Sequence, residues 1–123
     1  APGNYEYKFV VDGKAITDPT NPFKTGWGVY TNSILTFKAN YTFKLNKFQN
    51  AYNVYVSGNF NNWSKDSYRM GKKDGKWIFS TYLKPGKYTY KFIVDGEWIL
   101  DPENKLWEEN EYGTGNSILW IEP

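Results

Sequence analysis

The chain has no histidine and no cysteine. Without histidine there is no serine–histidine relay and no imidazole to hold a metal. Without cysteine there is no disulfide, no thiolate nucleophile and no thiolate metal site, so the redox compartment stays open. Leu and Ala are scarce and there is a single Met, which leaves little of the material helices are made from. No apolar run approaches the length of a membrane span, and no stretch reads as a signal peptide. Neither sign of charge dominates: 15 Lys and Arg stand against 13 Asp and Glu, a net +2. The charges are dispersed, without a basic stripe, which argues against nucleic acid or an anionic membrane as partner. The carboxylates form no pair that the sequence sets across a cleft, as glycoside hydrolysis needs. Glu108, Glu109 and Glu111 cluster in one stretch and read as a solvated loop. The expectation is a chain that is not an enzyme by itself, with no cofactor and no metal.

What the chain does have is aromatic residues, 20% of its 123 positions. On regular alternation these suit pleated surfaces, and the length suits one small domain with a modest core. The organising stretch is Pro85 to Leu119. Pro85-Gly86 is a turn signal. Tyr88, Tyr90, Phe92 and Val94 then alternate with Lys87, Thr89, Lys91 and Ile93, the period of a strand. Asp95-Gly96 reads as a two-residue hairpin turn, and Glu97 to Leu100 returns as the second strand, stopped by Asp101-Pro102. With that turn at the tip, Val94 faces Glu97, Ile93 faces Trp98 and Phe92 faces Ile99. Opposed residues share a side of the ribbon. One side then carries Tyr88, Tyr90, Phe92, Val94 and Ile99, the natural core face. The other carries Lys91, Ile93, Trp98 and Leu100, with a large aromatic diagonally beside a cation.

The opening residues repeat this stretch. Pro2-Gly3 matches Pro85-Gly86. Tyr5, Tyr7, Lys8, Phe9, Val11, Asp12 and Gly13 match Tyr88, Tyr90, Lys91, Phe92, Val94, Asp95 and Gly96. Ile16, Asp18, Pro19 and Asn21 match Ile99, Asp101, Pro102 and Asn104, and after a loop one residue shorter Asn32 to Leu35 matches Asn116 to Leu119. Between the copies lies a segment that occurs once. In it Tyr41, Phe43 and Leu45, then Asn53 to Ser57, then Trp77, Phe79, Thr81 and Leu83 read as strands. Asn59 to Trp63 reads as a polar and aromatic corner, and Ser64 to Gly75 as a long charged loop. Trp77 and Trp120 read as core or sheet surface. The Asp residues at 12, 18, 95 and 101 read as turn formers. Short strands, many turns and no convincing helix give an all-β sandwich. Two glycosylation sequons, at Asn40 and Asn62, read as chance in an Asn-rich chain.

The pattern VYVSGNFNNW, then KWIFSTYLKPGKYTYKFIVDGEWILDP, then YGTGNSILWI resembles carbohydrate-binding module family 48. Within it the chain is similar to the glycogen-binding domain of the AMP-activated protein kinase β subunit and to the N-terminal domain of isoamylase, and more distantly to starch-binding family 20. The resemblance covers residues 41–123 as a complete module. Residues 1–38 match only the back half of a second one. It implies an immunoglobulin-like (early-set) antiparallel β-sandwich that binds α-1,4-glucan: glycogen, starch or maltooligosaccharides. Carried over by position, it implies that Trp63 and Trp98 stack on sugar rings and that Lys91 hydrogen-bonds hydroxyls. It further implies polar contacts from Thr114 and Asn116, with Tyr112 standing where the family often has an apolar residue; an aromatic there is a departure.

Each of these residues also has a plainer reading. Trp98 is a half-buried strand Trp, Trp63 a plug for the end of the sandwich, Lys91 a solvated strand cation. Thr114 and Asn116 are turn residues, and Tyr112 is a loop anchor. Other functions remain open: a scaffolding sandwich of a larger carbohydrate-active enzyme that binds no sugar, a module for another glycan such as xylan, or a single-strand nucleic-acid binder. The leftover half-repeat poses its own question, because a lone hairpin is marginal in water. It docks on its own module, or competes with the second copy for residues 41–83, or pairs between chains as a homodimer or by segment exchange through residues 1–38. The intermolecular arrangement is the expectation.

Overall fold

A computed structural model of the chain describes residues 3–28 and 31–123. Pro2, the partner of Pro85 in the repeat, lies outside the described residues. Among the described residues every paired strand is antiparallel and there is no α-helix. The fold is an all-β, immunoglobulin-like sandwich of two layers.

One layer is built on the long strand β10 (Gly86–Val94). On one edge β10 pairs with β7 (Val54–Gly58); on the other it pairs first with β13 (Gly115–Ile121) and then with β11 (Glu97–Ile99). β12 (Trp107–Glu109) lines the far side of β13. The second layer is β9 (Lys76–Thr81) between β6 (Tyr41–Leu45) and β8 (Gly71–Lys73). The expected strands lie where alternation put them. The stretch from Ser64 to Gly75 departs from expectation, because it yields β8 instead of remaining loop throughout. A strand of Gly-Lys-Lys carries no alternation to detect. What holds it is Met70, fully buried just before it.

The core lies between the layers. Phe43, Leu45 and Phe79 from one side meet Val54, Val56, Tyr90 and Phe92 from the other, all essentially inaccessible to water. Phe43 meets Tyr90 edge-on at 5.1 Å between ring centres, and Tyr68 stacks on Phe79 at 4.8 Å. Edge and offset stacks of this kind add to the burial free energy. Trp77 is buried and donates its indole N–H to the Phe48 carbonyl at 3.0 Å. Trp120 is on the sheet surface. The Tyr90 hydroxyl, carried into the core, donates to Asp101 at 2.6 Å and accepts from Asn104 at 3.0 Å. Burial first, and the neighbouring carboxylate second, push that phenol far above its ordinary range. Asn40 bonds the Leu83 backbone through both ends of its amide, at 2.8 and 2.9 Å, which occupies one sequon.

The two stretches matched in the sequence pair their strands alike. β1 (Gly3–Tyr7) pairs with β5 (Asn32–Phe37) as β10 does with β13, Tyr7 opposite Ser33 and Tyr90 opposite Ser117. β2 (Phe9–Val11) and β3 (Lys14–Ile16) reproduce the second hairpin, Phe9 opposite Ile16 as Phe92 is opposite Ile99. Both tips turn through Asp-Gly pairs at positive φ, 50° and 77° in the first copy and 47° and 87° in the second, as a type I′ turn requires. The polar network recurs too: Tyr7 donates to Asp18 at 2.7 Å and accepts from Asn21 at 2.9 Å.

The two copies are nevertheless turned oppositely. Ile118 and Leu119 correspond to Ile34 and Leu35. In the second copy the Leu119 side packs on the core. In the first, Ile34 is in the core, 3% exposed, and Leu35 is exposed. Asn4, on the Ile34 side, reaches the Tyr68 and Thr81 hydroxyls at 2.9 and 3.1 Å. β5 continues through β4 (Lys24–Thr25) to Arg69, which bridges Lys24 and Tyr55, so the half-repeat extends the first layer beyond β7. The half-repeat thus docks on its own module by what is the outer face in its twin. The apolar face of Tyr5, Phe9, Val11, Ile16, Leu35 and Phe37, through which pairing between chains is expected, stays open to solvent. The half-repeat shares the cover of the second layer with β10: Ile34 joins the common core, Asn4 bonds Thr81 of β9, and Phe23 meets Phe79 edge-on at 5.5 Å.

The inversion makes a sharp prediction. Phe92 is 0% exposed and its twin Phe9 is 45% exposed. Phe92→Ala should cost about 3–5 kcal/mol in urea denaturation, and Phe9→Ala less than about 1 kcal/mol. Equal losses would mean that both copies bury the same face.

Candidate functional site

The outer face of β10 and β11 carries the candidate site. The register sets Ile93 opposite Trp98, so the indole stands diagonally next to Lys91 two positions back along β10. Trp98 keeps 41% of its surface and Lys91 is half-buried. Both project outward as the hairpin geometry requires.

Trp63 comes from the corner that follows β7. Gly58 is the pivot: a Cβ there would sit 2.3 Å from the Thr89 carbonyl oxygen of β10 and 2.5 Å from the Phe60 ring. Only glycine lets the corner fold this tightly against the sheet. From Gly58 the chain is held by a dense local set of bonds. The Gly58 carbonyl accepts from the N–H groups of Asn61 and Trp63 at 3.1 and 2.8 Å, and the Asn61 side chain accepts from the Gly58 N–H at 3.1 Å. Asn59 bonds the Thr89 backbone through both its own N–H and its side-chain oxygen, each at 3.1 Å. Asn62 and Trp63 both sit at positive φ, 56° and 57°. Left-handed backbone is costly for a residue with a Cβ, by about 1–3 kcal/mol each, and persists where the surroundings over-determine it. Its result is that the Trp63 ring centre lies 6.5 Å from that of Trp98, the two planes inclined at 40°.

The third wall is the loop between β12 and β13, organised by Asn110. Its side-chain oxygen accepts from the Tyr112 and Thr114 N–H groups at 3.0 and 3.1 Å. Its amide nitrogen donates to Thr114 Oγ1 at 2.7 Å and to Asn116 Oδ1 at 3.1 Å. The backbone closes the loop with Asn110 N–H to the Thr114 carbonyl at 2.7 Å and Gly113 N–H to the Asn110 carbonyl at 3.1 Å. Lys91 Nζ reaches Thr114 Oγ1 at 3.4 Å, tying the sheet to the loop. Tyr112, held at the rim by this turn, is 82% exposed.

The three walls enclose an open cleft of about 510 Å³. All six residues singled out in the sequence line it: Trp63, Lys91, Trp98, Tyr112, Thr114 and Asn116. Neither indole is swallowed by the core, and both stand on the same side of the molecule. The cleft has three further lining residues that sequence reasoning passed over, Thr89, Asn110 and Glu111. Thr89 and Lys91 are two apart on β10, so alternation could have found it. Asn110 had only the turn-forming character of an Asn shortly before a glycine. The first copy has no such cleft wall, because Ala15 occupies the register position of Trp98.

The cleft is shallow, apolar on its two indole faces and rimmed by one amine, hydroxyls and amides. It has donors and acceptors but no paired carboxylates poised across it, and among the described residues no three His, Cys, Asp or Glu side chains gather as metal ligands. Such a surface can bind and orient a ligand.

Comparison with known proteins gives a consistent result. A family model described as the glycogen recognition site of AMP-activated protein kinase matches residues 39–123. The β-1 subunit of 5′-AMP-activated protein kinase from Sus scrofa is 37% identical over 68 residues, 55% of this chain and 53% of that protein. The human β-1 subunit is 37% identical over the same length, which is 24% of it, and the β-2 subunit of Mus musculus is 34% identical. The matched segment thus spans about half or less of the curated relatives. Among solved structures, the maltogenic amylase from S. marinus superposes with a TM-score of 0.56 at 28% identity, covering 67% of this chain and 13% of that one. The fold and the family match over residues 39–123 agree: the chain belongs to the family of glycogen-recognition modules found in AMP-activated protein kinase, a carbohydrate-binding module that is not catalytic by itself.

Proposed function

We propose that the cleft binds α-1,4-linked glucan, and that Trp63 and Trp98 are its stacking platforms. The observation that carries this reading is the pair of indoles, 6.5 Å apart and inclined at 40°. A glucose ring has hydroxyls around its rim and C–H groups on its faces. An indole desolvates one such face, and its negative quadrupole attracts the polarised hydrogens. Two planes set at an angle accept successive sugars of a chain that curves, as an α-1,4-glucan does; coplanar rings would suit a flat chain. Lys91 offers mobile donors at the rim. Thr114 and Asn116, held by Asn110, offer a hydroxyl and an amide to adjacent sugar hydroxyls. Tyr112, exposed at the rim, would contact the inside of the glucan turn.

The walls are set before any sugar arrives. The corner of Trp63 and the loop of Asn110 are each fixed by hydrogen bonds, so little loop entropy is lost on binding. The contact is still small and open, which places the affinity at roughly micromolar to millimolar. The module is expected to serve a larger protein by holding it to glycogen or starch, an outcome supported by the kinase and amylase relatives.

Affinity electrophoresis in gels cast with glycogen or amylose tests the reading. The wild-type chain should be retarded, Trp98→Ala and Trp63→Ala should each run as if no glucan were present, and Trp120→Ala should behave as wild type. Unretarded wild-type protein would overturn the proposal and favour a scaffolding domain. Retardation on xylan alone would change the ligand. Binding should also vary little between about 50 and 200 mM salt, whereas a nucleic-acid site would lose about 10³-fold or more.

Asn110→Ala removes the brace and no stacking surface. It should weaken maltoheptaose binding by roughly tenfold, about 1.4 kcal/mol, with the melting temperature within a few degrees of wild type. An unchanged affinity would show that Thr114 and Asn116 hold their places without it.

A further inference from the structure

We infer that the glucan site continues past Trp98 into a second cleft, walled by Trp27 of the half-repeat, which makes the chain selective for longer α-glucans. The inference rests on the reading of the first cleft as an α-glucan site. The second cleft, about 770 Å³, is lined by Trp27, Tyr52, Tyr55, Lys65, Ile93 and Trp98, with Asn53 and the Asp95-Gly96 tip closing its end. Trp98 lines both clefts, so they meet at one indole. On this reading, a chain stacked on that ring runs on from one cleft into the other.

The second cleft has the composition of a sugar surface. Three aromatic side chains stand out from it: Trp27 at 64% exposure, Tyr52 at 85% and Trp98. Exposed aromatics in a contiguous patch mark an interaction site more often than they mark chance. The floor is Ile93, buried although it lies on the outer face of β10. Lys65 at the rim supplies donors. The Asp95 carboxylate is occupied by the Tyr52 and Asn53 N–H groups at 2.8 to 3.2 Å, so it fixes the Tyr52 loop.

Trp27 is presented, not merely left outside. It sits between Gly26 and Gly28, both at positive φ, 88° and 58°. The Gly26 N–H donates to the Asp66 carbonyl at 2.7 Å, and the Tyr55 hydroxyl donates to the Gly26 carbonyl at 3.3 Å. These bonds pin the turn to the segment that follows Trp63 and to the strand that borders β10. The register gives this turn a meaning. Thr25 pairs with Asn32 as Glu108 pairs with Asn116, so the turn carrying Trp27 is the half-repeat's counterpart of the loop carrying Asn110 and Tyr112. The half-repeat has Ala15 where the second copy has Trp98, but its turn stands at the cleft on the far side of that indole.

Isothermal titration with maltotriose and maltoheptaose, on the whole chain, tests this. Trp27→Ala and Tyr52→Ala should leave maltotriose affinity unchanged and weaken maltoheptaose by roughly three- to tenfold, the worth of one aromatic contact. Trp98→Ala should weaken both ligands. In NMR titrations maltoheptaose, and not maltotriose, should shift the Trp27 indole N–H. Unchanged maltoheptaose affinity in both variants, with an unmoved Trp27 signal, overturns the second cleft and leaves the first intact. Equal weakening of both ligands also overturns it, assigning Trp27 to support of the first cleft. Wild-type protein that binds neither sugar overturns the first-cleft reading and this one together.

Discussion

Everything at the cleft depends on the register of β10 with the strands at its two edges. Successive residues point to opposite sides of a sheet, so a slip of one position would send Lys91 and the indole-bearing side inward and bring Tyr90 and Phe92 out. The core forbids that slip. Tyr90 and Phe92 are inaccessible, and the Tyr90 hydroxyl is satisfied by Asp101 and Asn104. Moving that hydroxyl to water would break the bonds, and leaving it buried without them costs several kcal/mol. Core packing and the outer cleft are therefore the two sides of one strand alignment. Stability on one side sets geometry on the other.

The half-repeat shows how the same sequence pattern serves two packings. Its strands, turns and Tyr–Asp–Asn network are those of the second copy, yet it is turned over. An alternating strand has two faces, and its pairing partners decide only that those faces are opposite. Which one is buried depends on what surface is available. The three-stranded layer packs on β10 and its neighbours and, through Phe79 and Thr81, on the half-repeat as well. The half-repeat settles at the far edge of the sheet, where Ile34 finishes the core and Arg69 bridges the strands. Its turn carries Trp27 to the cleft that Trp98 also lines.

Much of this was legible in the sequence. The Asp-Gly tips and the alternation of Tyr88, Tyr90, Phe92 and Val94 determine the hairpin, and the hairpin determines that Trp98 stands beside Lys91. Local rules suffice there because neighbouring strands are two residues apart in the chain. Trp63 required the family pattern, because its place depends on two left-handed residues and on a glycine packed against a distant strand. β8 was illegible because Gly-Lys-Lys has no alternation, and β12 because Trp-Glu-Glu reads as part of an acidic loop. The role of Asn110 depends on four hydrogen bonds that exist only once the loop has closed. Trp27 sits between two glycines, outside any strand, and nothing local distinguishes it from an ordinary turn. The inversion of the half-repeat was beyond reach because Ile34 and Leu35 are equally apolar, and only the tertiary surface they meet decides which of them is buried.

The central claim is that the two indoles together face a sugar chain. The most direct measurement is a set of intermolecular nuclear Overhauser effects with maltoheptaose. Protons of the Trp63 and Trp98 rings should both show contacts to the C–H groups of the glucose units, with the Tyr88 and Trp77 rings silent. Contacts confined to residues elsewhere on the molecule, or none at either indole in the presence of saturating sugar, would contradict the account.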